Sequence, residues 1–96
     1  MPKLDPKPWP PNRPRKDIGD LRADIDDIDL KIVSLLERRT CVASRIGKLK
    51  RSRSLPVVSN ARELEVLRRC TEISILQPKE IESVFRTIIA VSKNYQ

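Results

Sequence analysis

Between residues 20 and 50 the apolar side chains recur at steps of three and four: Leu21, Ile25, Ile28, Ile32, Leu35, Leu36, Val42, Ile46 and Leu49. That period puts them on one side of a helix, and no proline interrupts the stretch. Asp20, Asp24, Asp26, Asp27 and Asp29 crowd its beginning, while Arg45, Lys48, Lys50, Arg51 and Arg53 crowd its end. The helix macrodipole favours that order, acids first and bases last. Pro56 is the expected stop. Ser59 and Asn60 then offer an N-cap for a second helix, with Asn60 and Glu63 at capping-box spacing and Leu64, Leu67, Cys70 and Ile73 as its apolar face. Gln77-Pro78-Lys79-Glu80 reads as a third start, with proline at the first helical position and an acid in the first turn. Its stripe is Ile81, Val84, Phe85, Ile88 and Ile89. The pattern predicts an all-α chain of three helices, one long and two shorter, with no internal repeat.

The long helix carries a consequence for assembly. At about 1.5 Å per residue, some 30 residues extend roughly 45 Å. A compact domain of about 80 residues is only about 25 Å across. Such a helix cannot bury its stripe inside one copy of the chain, so its length implies a homodimer.

Composition narrows the chemistry. The chain has 96 residues, of which 34% are charged, 39% hydrophobic and only 3% aromatic, with two glycines, eight prolines and no histidine. So few aromatics and glycines argue against a β-sandwich or barrel. Without histidine there is no Ser-His-Asp or Cys-His nucleophile, no imidazole base and no His-ligated metal. The two cysteines, Cys41 and Cys70, are too few for a Cys₄ zinc site and read as free thiols of a reducing cytosol. Six of the eight prolines fall in the first fourteen residues, so residues 1–16 read as a Pro-rich disordered leader and residues 17–96 as the folded domain. Pro11 and Pro14, followed by Arg15, have the spacing of an SH3-type ligand; a solvated tail is the simpler reading. Neither an apolar signal segment nor a run of the roughly 20 apolar residues needed to span a bilayer is present. A soluble cytoplasmic protein is expected.

The residues that break the apolar pattern are the informative ones. Arg39 continues the row of Ile25, Ile32 and Ile46, and Arg22, Asp29, Leu36, Ala43 and Lys50 form a parallel row. One helix thereby turns Arg22, Arg39 and Lys50 toward its packed side. In the third helix Ser92 and Gln96 follow Ile88 at steps of four. An unpaired buried cation costs several kcal/mol. Internal ion pairs with Asp29, Glu63 or a second copy are one explanation. With a net charge of +7 and few acids on the inward rows, a bound dianion is the better one. Arginine suits carboxylates because its planar fork binds them through two parallel bonds. Nucleic acid is the competing use of the charge, since Arg38 to Arg62 holds eight basic residues and no acid. Against it stand the missing aromatics, the acidic first turns and a basic run that the helix C-terminus already explains.

At this point LRADIDDIDLKIVSLLERR, IGKLKRSRSLPV, ARELEVL and FRTIIAVSKNYQ together resemble the all-helical chorismate mutases, over about residues 17–96. The resemblance implies an intertwined homodimeric helical bundle and a unimolecular rearrangement of chorismate to prephenate in aromatic amino acid biosynthesis. Such a reaction uses no cofactor, no metal, no nucleophile and no proton transfer. It further implies that Arg39, helped by Ser92, clamps one carboxylate, and that Arg22 of the other subunit clamps the second. Lys50 and Gln96 would donate to the breaking ether oxygen, Glu63 would hold the ring hydroxyl, and Arg62 would line the same pocket. Ser59 stands where the family often has an acid, and Gln96 as the last residue would set an α-carboxylate beside the ether-oxygen donor unless Lys93 or an arginine neutralises it. Isochorismate-pyruvate lyase and a mutase of the 4-amino analogue are the rivals on the same fold, and Glu63 favours the chorismate mutase. A non-catalytic docking module is the alternative from another class.

Overall fold

A computed structural model describes residues 17–96; the Pro-rich leader, with its Pro11 and Pro14 spacing, lies outside the described residues. The described chain forms three helices, α1 (Ile18–Ser52), α2 (Asn60–Ile73) and α3 (Pro78–Lys93), so the all-α expectation from periodicity holds. Each start has a local cause. Asp17 caps α1: its Oδ1 accepts from the Asp20 amide at 2.9 Å, and Asp20 Oδ2 accepts from the Asp17 amide at 3.4 Å. This reciprocal pair satisfies two donors that the first turn would leave free. α3 begins as its sequence predicts, with Pro78 at the first position and the Gln77 amide donating to Glu80 Oε1 at 3.0 Å.

Two boundaries differ from expectation. α2 is capped by Ser59, whose Oγ accepts from the Arg62 amide at 3.3 Å, and Asn60 is already helical. The expected Asn60 and Glu63 box does not form, because Ser59 takes the N-cap and leaves Arg62 rather than Glu63 at the third helical position. α1 closes before Pro56 is reached. The Leu55 amide donates to Lys50 O at 2.7 Å and the Ser54 amide to Arg51 O at 3.1 Å, with Ser54 at φ 55°. That is a Schellman closure with serine in the left-handed position that glycine usually fills.

α3 lies against both α1 and α2. The buried apolar side chains are Ala43, Leu67, Ile81 and Ile89. On α1 the packed row is Leu36, Ala43, Gly47 and Lys50, all at least half-buried, while Leu21, Ile25, Ile32, Leu35, Val42, Ile46 and Leu49 remain exposed. The expected apolar stripe is therefore not the face that meets α3. The face that does meet it is small: Ala43 and Gly47 are buried, and Gln96, just past the end of α3, comes close to Gly47. On α2, Leu67 and Cys70 turn inward as expected, but Leu64 and Ile73 face solvent. On α3, Ile81 and Ile89 are buried, Phe85 and Ile88 are half-buried, and Val84 is exposed. The described residues extend over 56 × 26 × 16 Å with a radius of gyration of 17.1 Å. A compact chain of this length would have a radius of about 12 Å. No described helix is long and apolar enough to cross a membrane.

Candidate active site

The second half of α1, the start of α2 and the end of α3 enclose a cavity of about 240 Å³. It is small beside the roughly 300–1,000 Å³ usual for ligand pockets, which suits a compact molecule. Val42, Ile46, Val58, Val66 and Ile89 supply its apolar wall. Its polar wall comes from Arg39 and Lys50 on α1, Ser59, Arg62 and Glu63 at the start of α2, Ser92 and Lys93 at the end of α3, and Gln96, which lies past the helix rather than within it as its spacing predicts. Glu63 is the only carboxylate side chain in that lining, against four cationic ones. Among the described residues the lining thus carries an excess of positive side chains.

Each polar group is held by its neighbours. Arg39 Nη1 donates to Ser92 Oγ at 2.5 Å, and Ser92 Oγ donates in turn to Ile88 O, one turn back in α3, at 3.1 Å. Ser92 is buried and Arg39 half-buried, so this bond fixes the guanidinium where water competes poorly. Lys50 Nζ donates to Val57 O at 3.2 Å, which ties the end of α1 to the connection leading into α2. An ammonium has three donors, so this bond leaves capacity for a ligand. Lys93 Nζ lies 2.8 Å from Glu63 Oε2 and bridges α3 to α2. Arg62 reaches away from these groups to pair with Glu65 on α2. The hydrogen bond from Arg62, followed by the attraction of its charge, holds the Glu65 carboxyl below its ordinary range.

Gln96 is seated from below. Arg51 Nη1 donates to its main-chain oxygen, and Gly47 lets it approach closely. A Cβ built at Gly47 would stand 2.8 Å from Gln96 O and 3.1 Å from Gln96 Cα. Ordinary contacts are about half an ångström longer, so only glycine leaves room for Gln96 where it lies.

The structure brings together Arg39, Lys50, Ser59, Arg62, Glu63, Ser92 and Gln96 on one cavity. Arg22 is not among its lining residues. It is exposed in the first half of α1, about 25 Å along the helix from Arg39, rather than on a packed face of this chain. Lys93, Arg51 and Gly47 complete the picture beyond the expected set. Of these, Gly47 had a sequence signal: a glycine deep inside a helical pattern costs about 1 kcal/mol against alanine and marks a close approach.

Comparison with known proteins gives a consistent picture. The family described as Chorismate mutase type II matches residues 21–96. The chain is 36% identical over 53 residues to the intracellular chorismate mutase of Mycolicibacterium smegmatis, covering 55% of this chain and 51% of that one. It is 32% identical over 62 residues to the intracellular chorismate mutase of Mycobacterium tuberculosis H37Rv, covering 65% and 59%. With the bifunctional chorismate mutase/prephenate dehydratase of Aquifex aeolicus it shares 28% over 81 residues, covering 78% of this chain and 22% of that one. The matches thus span between about a fifth and three-fifths of these relatives' own length. No solved structure matches the chain.

Proposed function

Because the chain belongs to the Chorismate mutase type II family, we propose that its cavity catalyses the rearrangement of chorismate to prephenate. The observation that carries this reading is the convergence of Arg39, Lys50, Ser92 and Gln96 on one small cavity with Glu63 as its single acid. The lining contains no histidine and no cysteine. A rearrangement within one molecule needs neither proton transfer nor a nucleophile, so this lining suffices. What it requires is a folded substrate conformation and donors at the ether oxygen, where negative charge grows as the bond breaks.

The roles are those that the family resemblance implies, and the meeting of these side chains on one cavity supports them. Arg39, steadied on Ser92 Oγ, takes one carboxylate. Lys50 and the Gln96 amide donate to the ether oxygen, the contact that strengthens in the transition state. Glu63 accepts from the ring hydroxyl, and Ser59 and Arg62 border it. The second carboxylate is met by Arg22 of a second copy of the chain, in an intertwined homodimer. The exposed Leu21, Ile25, Ile32, Leu35, Ile46 and Leu49 of α1 support that assembly, since apolar faces of this extent mark association surfaces. Residues 17–96 make up the catalytic domain, and the cytoplasm is its place, in keeping with the free thiols Cys41 and Cys70 and with relatives named intracellular.

The test is the loss of chorismate absorbance on adding purified protein, with acid conversion of the product to phenylpyruvate. Turnover that yields phenylpyruvate is the expected result. A folded protein that leaves chorismate untouched overturns the reading.

A further inference from the structure

We propose that Lys93, through its pair with Glu63, makes the site select a neutral hydroxyl over an amine on the ring of its dicarboxylate substrate. The proposal rests on the mutase reading for the identity of the ligand, and it adds a residue that sets specificity.

The orientation comes from charge. The two carboxylates of the substrate go to cations, so its remaining polar ring substituent falls to the one carboxylate side chain in the lining, Glu63. That carboxylate is already engaged. Lys93 Nζ stands 2.8 Å from its Oε2, and the two side chains are only 40% and 27% exposed. Water therefore screens the pair incompletely. Among the described residues, the other side chains of the lining add no further negative charge. Ser59, one turn before Glu63, is neutral, and Arg62 is matched by Glu65 rather than by Glu63. This corner of the cavity is close to neutral overall.

A hydroxyl fits such a corner. A carboxylate offers about four lone-pair sites, so Glu63 accepts from the hydroxyl while keeping Lys93. An amine at the same ring position is protonated near neutral pH. It would bring a second ammonium to a single carboxylate, beside the first, and like charges set together are strongly unfavourable. Binding would then require Lys93 to leave its place. The Lys93 and Glu63 pair thus discriminates by repulsion as well as by attraction.

The experiment compares kcat/KM for chorismate and for its analogue with an amine in place of the ring hydroxyl. It uses the wild-type chain, Lys93→Gln and Lys93→Arg. Both compounds carry the same two carboxylates, so any general change in folding or affinity cancels in the ratio. Wild type is expected to favour chorismate. Lys93→Gln is expected to shift the ratio toward the amine by about tenfold or more, chiefly through KM, while Lys93→Arg keeps the wild-type ratio. Lys93→Met gives the same readout from a second side chain. A wild type that turns over chorismate, with a ratio unmoved in Lys93→Gln and Lys93→Met, overturns the proposal and leaves the mutase reading standing. A wild type that favours the amine also overturns it. A wild type that turns over neither compound overturns both.

Discussion

Lys50 shows how one side chain serves the fold and the proposed chemistry together. Its bond to Val57 O at 3.2 Å fixes the ammonium at the cavity wall without using all three of its donors. Removing a donor aimed at developing negative charge typically costs about 3–4 kcal/mol in barrier. Lys50→Ala is therefore expected to lower kcat by about two orders of magnitude or more, with helical circular dichroism retained; an unchanged kcat would remove Lys50 from the mechanism. Gly47 makes the complementary case. Gly47→Ala improves helix propensity by about 1 kcal/mol, yet its new methyl would collide with main-chain atoms of Gln96, which cannot swing aside as a side chain could. The end of α3 must shift, and a misplacement near 1 Å costs on the order of a hundredfold in rate. The expected variant is fully helical and slow. Wild-type kcat in Gly47→Ala would show that the seat of Gln96 does not matter. At this scale the sequence reveals what one helix can reveal. Arg39 and Lys50 are legible because row arithmetic along α1 is local. The Lys93 and Glu63 pair, and the approach of Gln96 to Gly47, depend on how different helices meet, which no period encodes.

At the scale of elements, the starts of α1 and α3 are legible because capping chemistry is written within four residues of each start. The ends and faces are less so. Pro56 hides the true end of α1, since the chain closes earlier on Ser54, in a conformation that a side chain makes costly. Ser54→Gly relieves that cost, and the gain is partly offset by the greater freedom of glycine in the unfolded chain. A net stabilisation of about 0.5–1 kcal/mol is expected, read as a higher urea midpoint with an unchanged slope. A lower midpoint would show that Ser54 is held by something other than the closure. On α1 the row of Leu36, Ala43 and Lys50 packs as its spacing predicts, while Arg22 and Asp29 of the same row stay exposed. Hydrophobicity marks the widest apolar stripe, whereas the buried positions of α1 include the small Ala43 and Gly47, the latter approached closely by Gln96. The stripe of leucines and isoleucines is thereby left over.

That leftover stripe decides the behaviour of the whole molecule. One copy buries only Ala43, Leu67, Ile81 and Ile89 as its apolar core. Each large side chain contributes about 1.5–3 kcal/mol on full burial, against roughly 1–2 kcal/mol of backbone entropy for every residue ordered. Among the described residues, three such side chains and one alanine offset only a small part of that cost. In the proposed homodimer a second copy covers the exposed row of α1, and the melting temperature is expected to rise with protein concentration. The proposed assembly would also complete the site, because Arg22 lies about 25 Å along α1 from Arg39 and does not line its own chain's cavity. Subunit mixing tests both ideas together. Arg22→Ala and Arg39→Ala homodimers should each be nearly inactive, since each lacks one carboxylate clamp in both of its sites. In a mixed dimer one site collects both defects, while the other receives an intact Arg22 from one chain and an intact Arg39 from the other. Random exchange makes about half of the dimers mixed, each with one sound site, so about a quarter of wild-type activity should return. Recovery to that level requires a shared site. Two inactive variants that stay inactive after exchange, with mixed dimers confirmed by mass, would show that Arg22 and Arg39 of one site do not come from different chains.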